Sequence, residues 1–219
     1  LLNYSNRQDT IFLDSGTIEL KYSLNNNDGL ALINKIVSFS ADKYINEHYY
    51  EINDEVFEYS NNLELLWYGG LRPSEEKEDE DITYGSGIIS QVGETEDIQA
   101  NDSEKNIARE VFKGQTDWVA IRTKYFMSAI IAKDPGKYAT LSEHNENFGN
   151  RKHTPLYSVS IGYPLNVSTI SSSIYLGPLD VDYLSQTDVS LDASMNWGFA
   201  PIRPISKGVL WVLKFMHNK

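Results

Sequence analysis

The chain has no cysteine, which excludes disulfides, a thiol nucleophile and any cysteine-ligated metal, and leaves the redox compartment open. No apolar run reaches the ~18 residues a membrane-spanning helix requires, and no signal peptide precedes the first polar segment. The sequence also lacks the compact motifs of common chemistries: HExxH, GxSxG, a P-loop and GxGxxG are all missing. Gly85-Ser86-Gly87 resembles a phosphate loop but has neither the following lysine nor the following helix. Basic residues are scarce as well. Lys and Arg number 19 against 31 Asp and Glu, a net charge of −12 that repels nucleic acid. The first residue is Leu1 rather than Met, so the chain reads as a piece of something longer.

What is present is an ordinary globular balance, 41% hydrophobic and 23% charged over 219 residues, enough for a sizeable core in one large domain or two small ones. Fourteen Tyr, eight Phe and four Trp argue against disorder. The charge is uneven: residues 1–117 carry −15 and residues 118–219 carry +3, with no acid after Asp192. The densest acidic run is 75–81, after Arg72-Pro73. It reads as a solvated loop or edge, because it lacks the spaced ligands and turn glycine of a calcium loop.

Alternation of period two dominates the chain. Thr17–Tyr22, Leu30–Phe39 and Tyr44–Ile52 read as a meander joined by the turns 25–29 and 40–43, and Leu63–Tyr68 is a further strand ended by Gly69-Gly70. Ile107–Phe112 is the best strand of the segment 82–113. Trp118–Ile131 keeps nearly every second position apolar and predicts one strand, which Pro135-Gly136 separates from Lys137–Leu141. His153–Tyr163 and Val167–Leu176 follow, and Gly177-Pro178 ends the last of them. Leu179–Leu184 predicts a short helix with acids in its first turn.

From Pro204 the period becomes helical. Ile205, Val209, Val212, Leu213 and Met216 form one apolar stripe, widened by Leu210, Trp211 and Phe215, with Lys207 and Lys214 opposite. A cationic amphipathic helix of about 14 residues carrying a Trp suits a bilayer interface; the same stripe also suits packing against a sheet. The expected division is a β body over 1–177, a helical and loop connection over 178–203, and this helix over 204–219.

No catalytic, metal or cofactor constellation emerges. The histidines His48, His144, His153 and His217 form no paired metal motif, and 31 acids make accidental carboxylate pairs uninformative.

Three separated stretches carry a resemblance. Trp118-Val-Ala-Ile-Arg-Thr-Lys-Tyr-Phe-Met-Ser-Ala-Ile-Ile131, Tyr175-Leu-Gly-Pro-Leu-Asp-Val-Asp-Tyr-Leu184, and Asn196-Trp-Gly-Phe199 with Pro204–Phe215 are similar, in order and spacing, to segments of the periplasmic domains of bacterial YidC-type insertases. The resemblance implies a mainly β super-β-sandwich of the galactose-mutarotase type with short C-terminal helices. It implies a non-catalytic interaction module on the periplasmic side of the inner membrane, between the first two spans of a YidC/Oxa/Alb family insertase. Its implied partners are SecD/SecF and other Sec translocon components, nascent membrane-protein clients and, through Pro204–Lys219, the membrane surface. No cofactor is implied. The competing expectation is a carbohydrate-binding or mutarotase-like epimerase on the same sandwich, which would draw on His48, His144 or His153 as an acid and on Tyr49, Trp67 or Tyr68 for stacking.

Overall fold

A computed structural model describes residues 10–58, 60–72, 80, 83–99, 109–148, 151–185, 187–195, 208, 209 and 216, with backbone alone at 145–148 and 151–153. Its strands are β1 (Thr17–Asn25), β2 (Ala31–Ser40), β3 (Ile45–Ile52), β4 (Leu63–Trp67), β5 (Ser86–Gln91), β6 (Glu94–Ile98), β7 (Glu110–Arg122), β8 (Phe126–Phe148), β9 (Arg151–Tyr163) and β10 (Thr169–Pro178). All pairings are antiparallel. The order is β1-β2-β3-β10-β8-β7-β5-β6, with β9 on the far half of β8 and β4 outside β9.

The N-terminal meander follows its alternation. Its first turn closes because the Asn26 carboxamide oxygen accepts the backbone N–H groups of Asp28 and Leu30, at 3.0 and 2.9 Å, while Gly29 takes a positive φ of 86°.

Several segments differ from the sequence expectation: β7 joins the end of the expected Ile107–Phe112 strand to Trp118 without a break, and two further differences shape the core. Trp118–Ile131 is a hairpin, not one strand: Trp118 pairs with Ile131 and Arg122 with Met127 around Thr123-Lys124-Tyr125. The turn contains neither Gly nor Pro, so composition does not mark it. It is closed by the Thr123 N–H donating to the Phe126 carbonyl at 2.8 Å and the Phe126 N–H donating to the Thr123 hydroxyl at 3.2 Å. The unbroken apolar parity therefore serves two cores, Val119 and Ile121 on one face, Met127, Ala129 and Ile131 on the other.

Pro135-Gly136, conversely, does not end a strand. β8 runs 23 residues through it, and the β7 register shifts there. At this point β8 exchanges its second partner, pairing with β10 over Phe126–Ala132 and with β9 from Tyr138 onward. A residue without an N–H is tolerated where the ladder is interrupted. Gly136 is required by contact: a Cβ there would strike the Ile161 side chain and the Gly162 carbonyl.

The partner exchange folds the sheet into a sandwich-like pair of layers. The inner core joins Val119, Ile121 and Ile130 of one layer to Val159, Ile161 and Leu65 of the other. An outer core, with Trp118, Ala129 and Tyr175, is covered by the segment after β10, where Leu184 of the short helix α1 (Val181–Leu184) and Leu191 are fully buried. Asp180 caps α1 by accepting the Asp182 N–H at 2.8 Å. Buried Arg122 ties this cover down. It donates to the Ser194 carbonyl at 3.0 Å and the Ser86 hydroxyl at 2.9 Å, and pairs with Asp97 at 2.6 Å.

Candidate functional site

Of the C-terminal residues expected at an interface, Val209 and Met216 are helical and exposed, at 53% and 68%. Ile205, Lys207, Trp211, Leu213 and Lys214 lie outside the described residues. So does the acidic run 75–81 except Glu80, whose carboxylate accepts from the Lys124 ammonium at 2.8 Å. Among the described residues no helix is long and apolar enough to cross a membrane, and no three His, Asp or Glu side chains gather as metal ligands would.

Among the described residues a groove of about 330 Å³ opens where the inner face of β2, β3, β10 and β8 runs out beyond the covering edge of β4. Strand register lays its floor in three rows. Lys35 pairs with Tyr50 in the first, Val37 with His48 and His48 with Ser172 in the second, and Phe39 with Asn46, then Ile174 and Ile130, in the third. Leu65 and Trp67 of β4 form the wall, and the Trp67 indole is fixed by donating to the Gly70 carbonyl at 3.1 Å.

The polar groups of the floor are tuned by burial. The His48 imidazole is pushed down to about 4, first by loss of solvent and second by the Lys35 charge, so it is neutral at pH 7. Its Nδ1 lies 3.4 Å from the Tyr50 hydroxyl, whose own ionisation burial pushes up. Burial also lowers the Lys35 ammonium, which sits 5.4 Å from the centre of the Tyr50 ring. Lys35 has no carboxylate partner among the described residues, as is true of the exposed Lys21, Lys43, Arg72, Lys113 and Lys137, whereas Arg109, Arg122 and Lys124 each have one and Lys133 has two. A neutral imidazole beside a lone cation makes a recognition surface with hydrogen-bonding capacity. No described carboxylate lines the groove to complete an acid–base pair with the ring.

The residues considered for carbohydrate chemistry are scattered. Tyr49 points away from the groove, opposite Tyr50, and Tyr68 stacks on His144 outside β4, with ring centres 6.0 Å apart. Only His48 and Trp67 come to the groove, and the His153 side chain lies outside the described residues. Lys35 and Ser172 were not singled out from sequence. The available signal was a cation on the apolar parity of β2, between Ile33 and Val37.

A family model described as "YidC periplasmic domain" matches residues 2–212. The chain is similar to proteins described as "Membrane protein insertase YidC": 28% identical over 174 residues to that of Chlorobium phaeovibrioides, covering 72% of this chain and 28% of the relative. Similarity to the Pelodictyon phaeoclathratiforme protein is 26% over 197 residues, covering 85% and 33%. For Chlorobium limicola it is 30% over 167 residues, covering 72% and 28%. The chain thus spans about a third or less of the length of these relatives. A solved structure, "Crystal Structure Analysis of HI1317", aligns with a TM-score of 0.46 at 9% identity, covering 80% of this chain and 65% of that one.

Proposed function

The chain belongs to the YidC periplasmic domain family, and on that premise we propose that it is the periplasmic module of an inner-membrane insertase that helps insert and fold membrane proteins. The observation that carries the reading is a family match over 2–212 to a single strand-rich body. In this reading the module is a docking surface, not an enzyme. It serves nascent membrane-protein clients and the SecD/SecF and Sec translocon components beside which the insertase works.

Pro204–Lys219 lies along the outer surface of the inner membrane. Trp211 anchors the apolar stripe, and Lys207 and Lys214 approach lipid phosphates, each worth about 1 kcal/mol near an anionic surface. Two observations support this placement. Val209 and Met216 are helical with their side chains in solvent, and the chain's excess negative charge lies before residue 118, leaving a cationic end. Flotation with phosphatidylglycerol-containing vesicles tests it. The 219-residue chain should float weakly, and a chain lacking 204–219 should not. Equal flotation of the two would sink the interface assignment. Photo-cross-linking of the whole insertase in inner-membrane vesicles, with probes on the β body, should yield SecD or SecF adducts. Their absence from every probed strand would remove that partnership.

A further inference from the structure

The groove beneath β2, β3 and β10 has no place in the docking function just described, and its lining points to a small ligand. Much of its lining is apolar: Leu65 and Trp67 on the wall, Phe39, Ile174 and Leu176 on the floor. A volume of about 330 Å³ lies at the lower end of the roughly 300–1,000 Å³ typical of small-molecule sites. Lys35 at one end is a partly desolvated ammonium with no carboxylate beside it among the described residues, in a protein whose net charge is −12. Holding an unpaired cation against an apolar surface costs free energy that a bound anion would offset.

The hydroxyls supply a second, independent observation. Among the described residues the buried side-chain polar atoms without a hydrogen-bond partner are Ser128 Oγ, Ser172 Oγ and Tyr163 Oη. All three belong to the inner face. Ser172 lines the groove, 1% exposed and paired across the strands with His48. Ser128 sits opposite the lining residue Leu176, and Tyr163 belongs to the adjoining inner core. Buried orphan hydroxyls are uncommon and mark places where a polar group belongs.

We propose that this groove binds a single-chain anionic amphiphile, its aliphatic chain against Trp67, Leu65 and Ile174 and its carboxylate or phosphate head at Lys35, with Ser172 and His48 donating beside it. With the Tyr50 hydroxyl donating to Nδ1, neutral His48 has its Nε2–H left to donate to the head group. The inference rests on the groove alone and is independent of the insertase reading.

The test is a titration of the 219-residue chain with decanoate, below its micelle concentration at pH 8, followed by tryptophan fluorescence. Trp67→Phe assigns the signal. Saturable binding is expected, with 1-decanol at least tenfold weaker. Lys35→Gln should weaken decanoate at least tenfold, Lys35→Arg should retain binding within about threefold, and Ser172→Ala should cost a few-fold. Decyl phosphate run in parallel identifies the head: tighter decanoate means a free fatty acid, tighter decyl phosphate a phosphate-headed lipid, and both outcomes support the proposal. Decanol binding as well as decanoate would overturn it, as would Lys35→Gln binding unchanged while keeping the native circular dichroism spectrum. Should Lys35→Gln fail to fold, the decision passes to the decanol comparison and to the His48 ring resonances, which must shift with decanoate.

Discussion

The closed half of the sandwich and its open wing are built from the same alternation and reach opposite states. In β7, β8 and β9 the inward residues Val119, Leu141, Val159 and Ile161 are at most 1% exposed. In β1 the inward residues Ile18, Leu20, Tyr22 and Leu24 alternate as cleanly with exposed neighbours yet are only half-buried. The difference is coverage. The first set is shared between two facing layers, Val119 on one and Leu141, Val159 and Ile161 on the other, while β9 and β4 end before reaching the second. Alternation therefore reports which face a side chain joins, while its burial depends on whether the other layer extends that far.

The sharpest way to break the comparison is a cavity in the closed half. Leu141 is fully buried amid close-packed neighbours; an Ala there loses its transfer energy and leaves a void, at a cost of about 3–5 kcal/mol in urea unfolding. A loss under about 1 kcal/mol would mean that the two layers are not in contact there. The next effect concerns the outer cover. Arg122→Ala removes two hydrogen bonds and a partly buried ion pair with Asp97, for an expected loss of about 2–4 kcal/mol, the lower part because Asp97 remains hydrated. Hydrogen exchange should then show the segment 187–195 opening before the rest.

Particular residues show what the sequence could and could not convey. The β1–β3 meander is written twice, in alternation and in Asn-Asp-Gly turn chemistry, and its strands fall where expected. The cap at Asp180 is likewise local. The Thr123–Tyr125 turn was illegible because a threonine hydroxyl closes it, with no glycine or proline to mark it. Pro135-Gly136 carried a strong turn signal that tertiary context overrode, since the break it marks is an exchange of partners along β8. The β5–β6 hairpin, short and acidic on one strand, had no pattern strong enough to separate it from loop. At the site, His48 was visible only as one histidine among four and as one of three candidate acids. Its environment comes from Val37, Ser172 and Trp67, which are remote in sequence and brought together by register.

Titration sharpens the comparison on the wing side. The native His48 imidazole is held near 4, below its ordinary value of 6.5. Between those values the unfolded chain binds a proton that the native chain refuses, so this group makes stability fall as pH drops from 6.5 to 4. Because the groove is open and screening is partial, the effect is about 2 kcal/mol at most. His48→Gln should flatten the melting-temperature profile over that interval and leave it unchanged above pH 7. An equally steep profile in the variant would show that the ring stays solvated, and that the wing shields nothing.

The smallest expected effect is the most telling about the wing. Leu20 on β1 faces inward beside Val37, which is itself buried. Truncating it to Ala removes apolar area that is only half withdrawn from water and opens no enclosed void. The cost should be about 1 kcal/mol, well below that of Leu141→Ala although the deleted atoms are the same. Measuring both variants at several protein concentrations makes the contrast decisive. A ratio near one at every concentration would mean that the wing is packed as tightly as the closed half. A Leu20→Ala cost that grows with concentration would mean that a second copy covers β1 in solution. A small, concentration-independent cost leaves the inner face of β1 and β2 free to line a groove, which is the condition the Lys35 and Ser172 site needs.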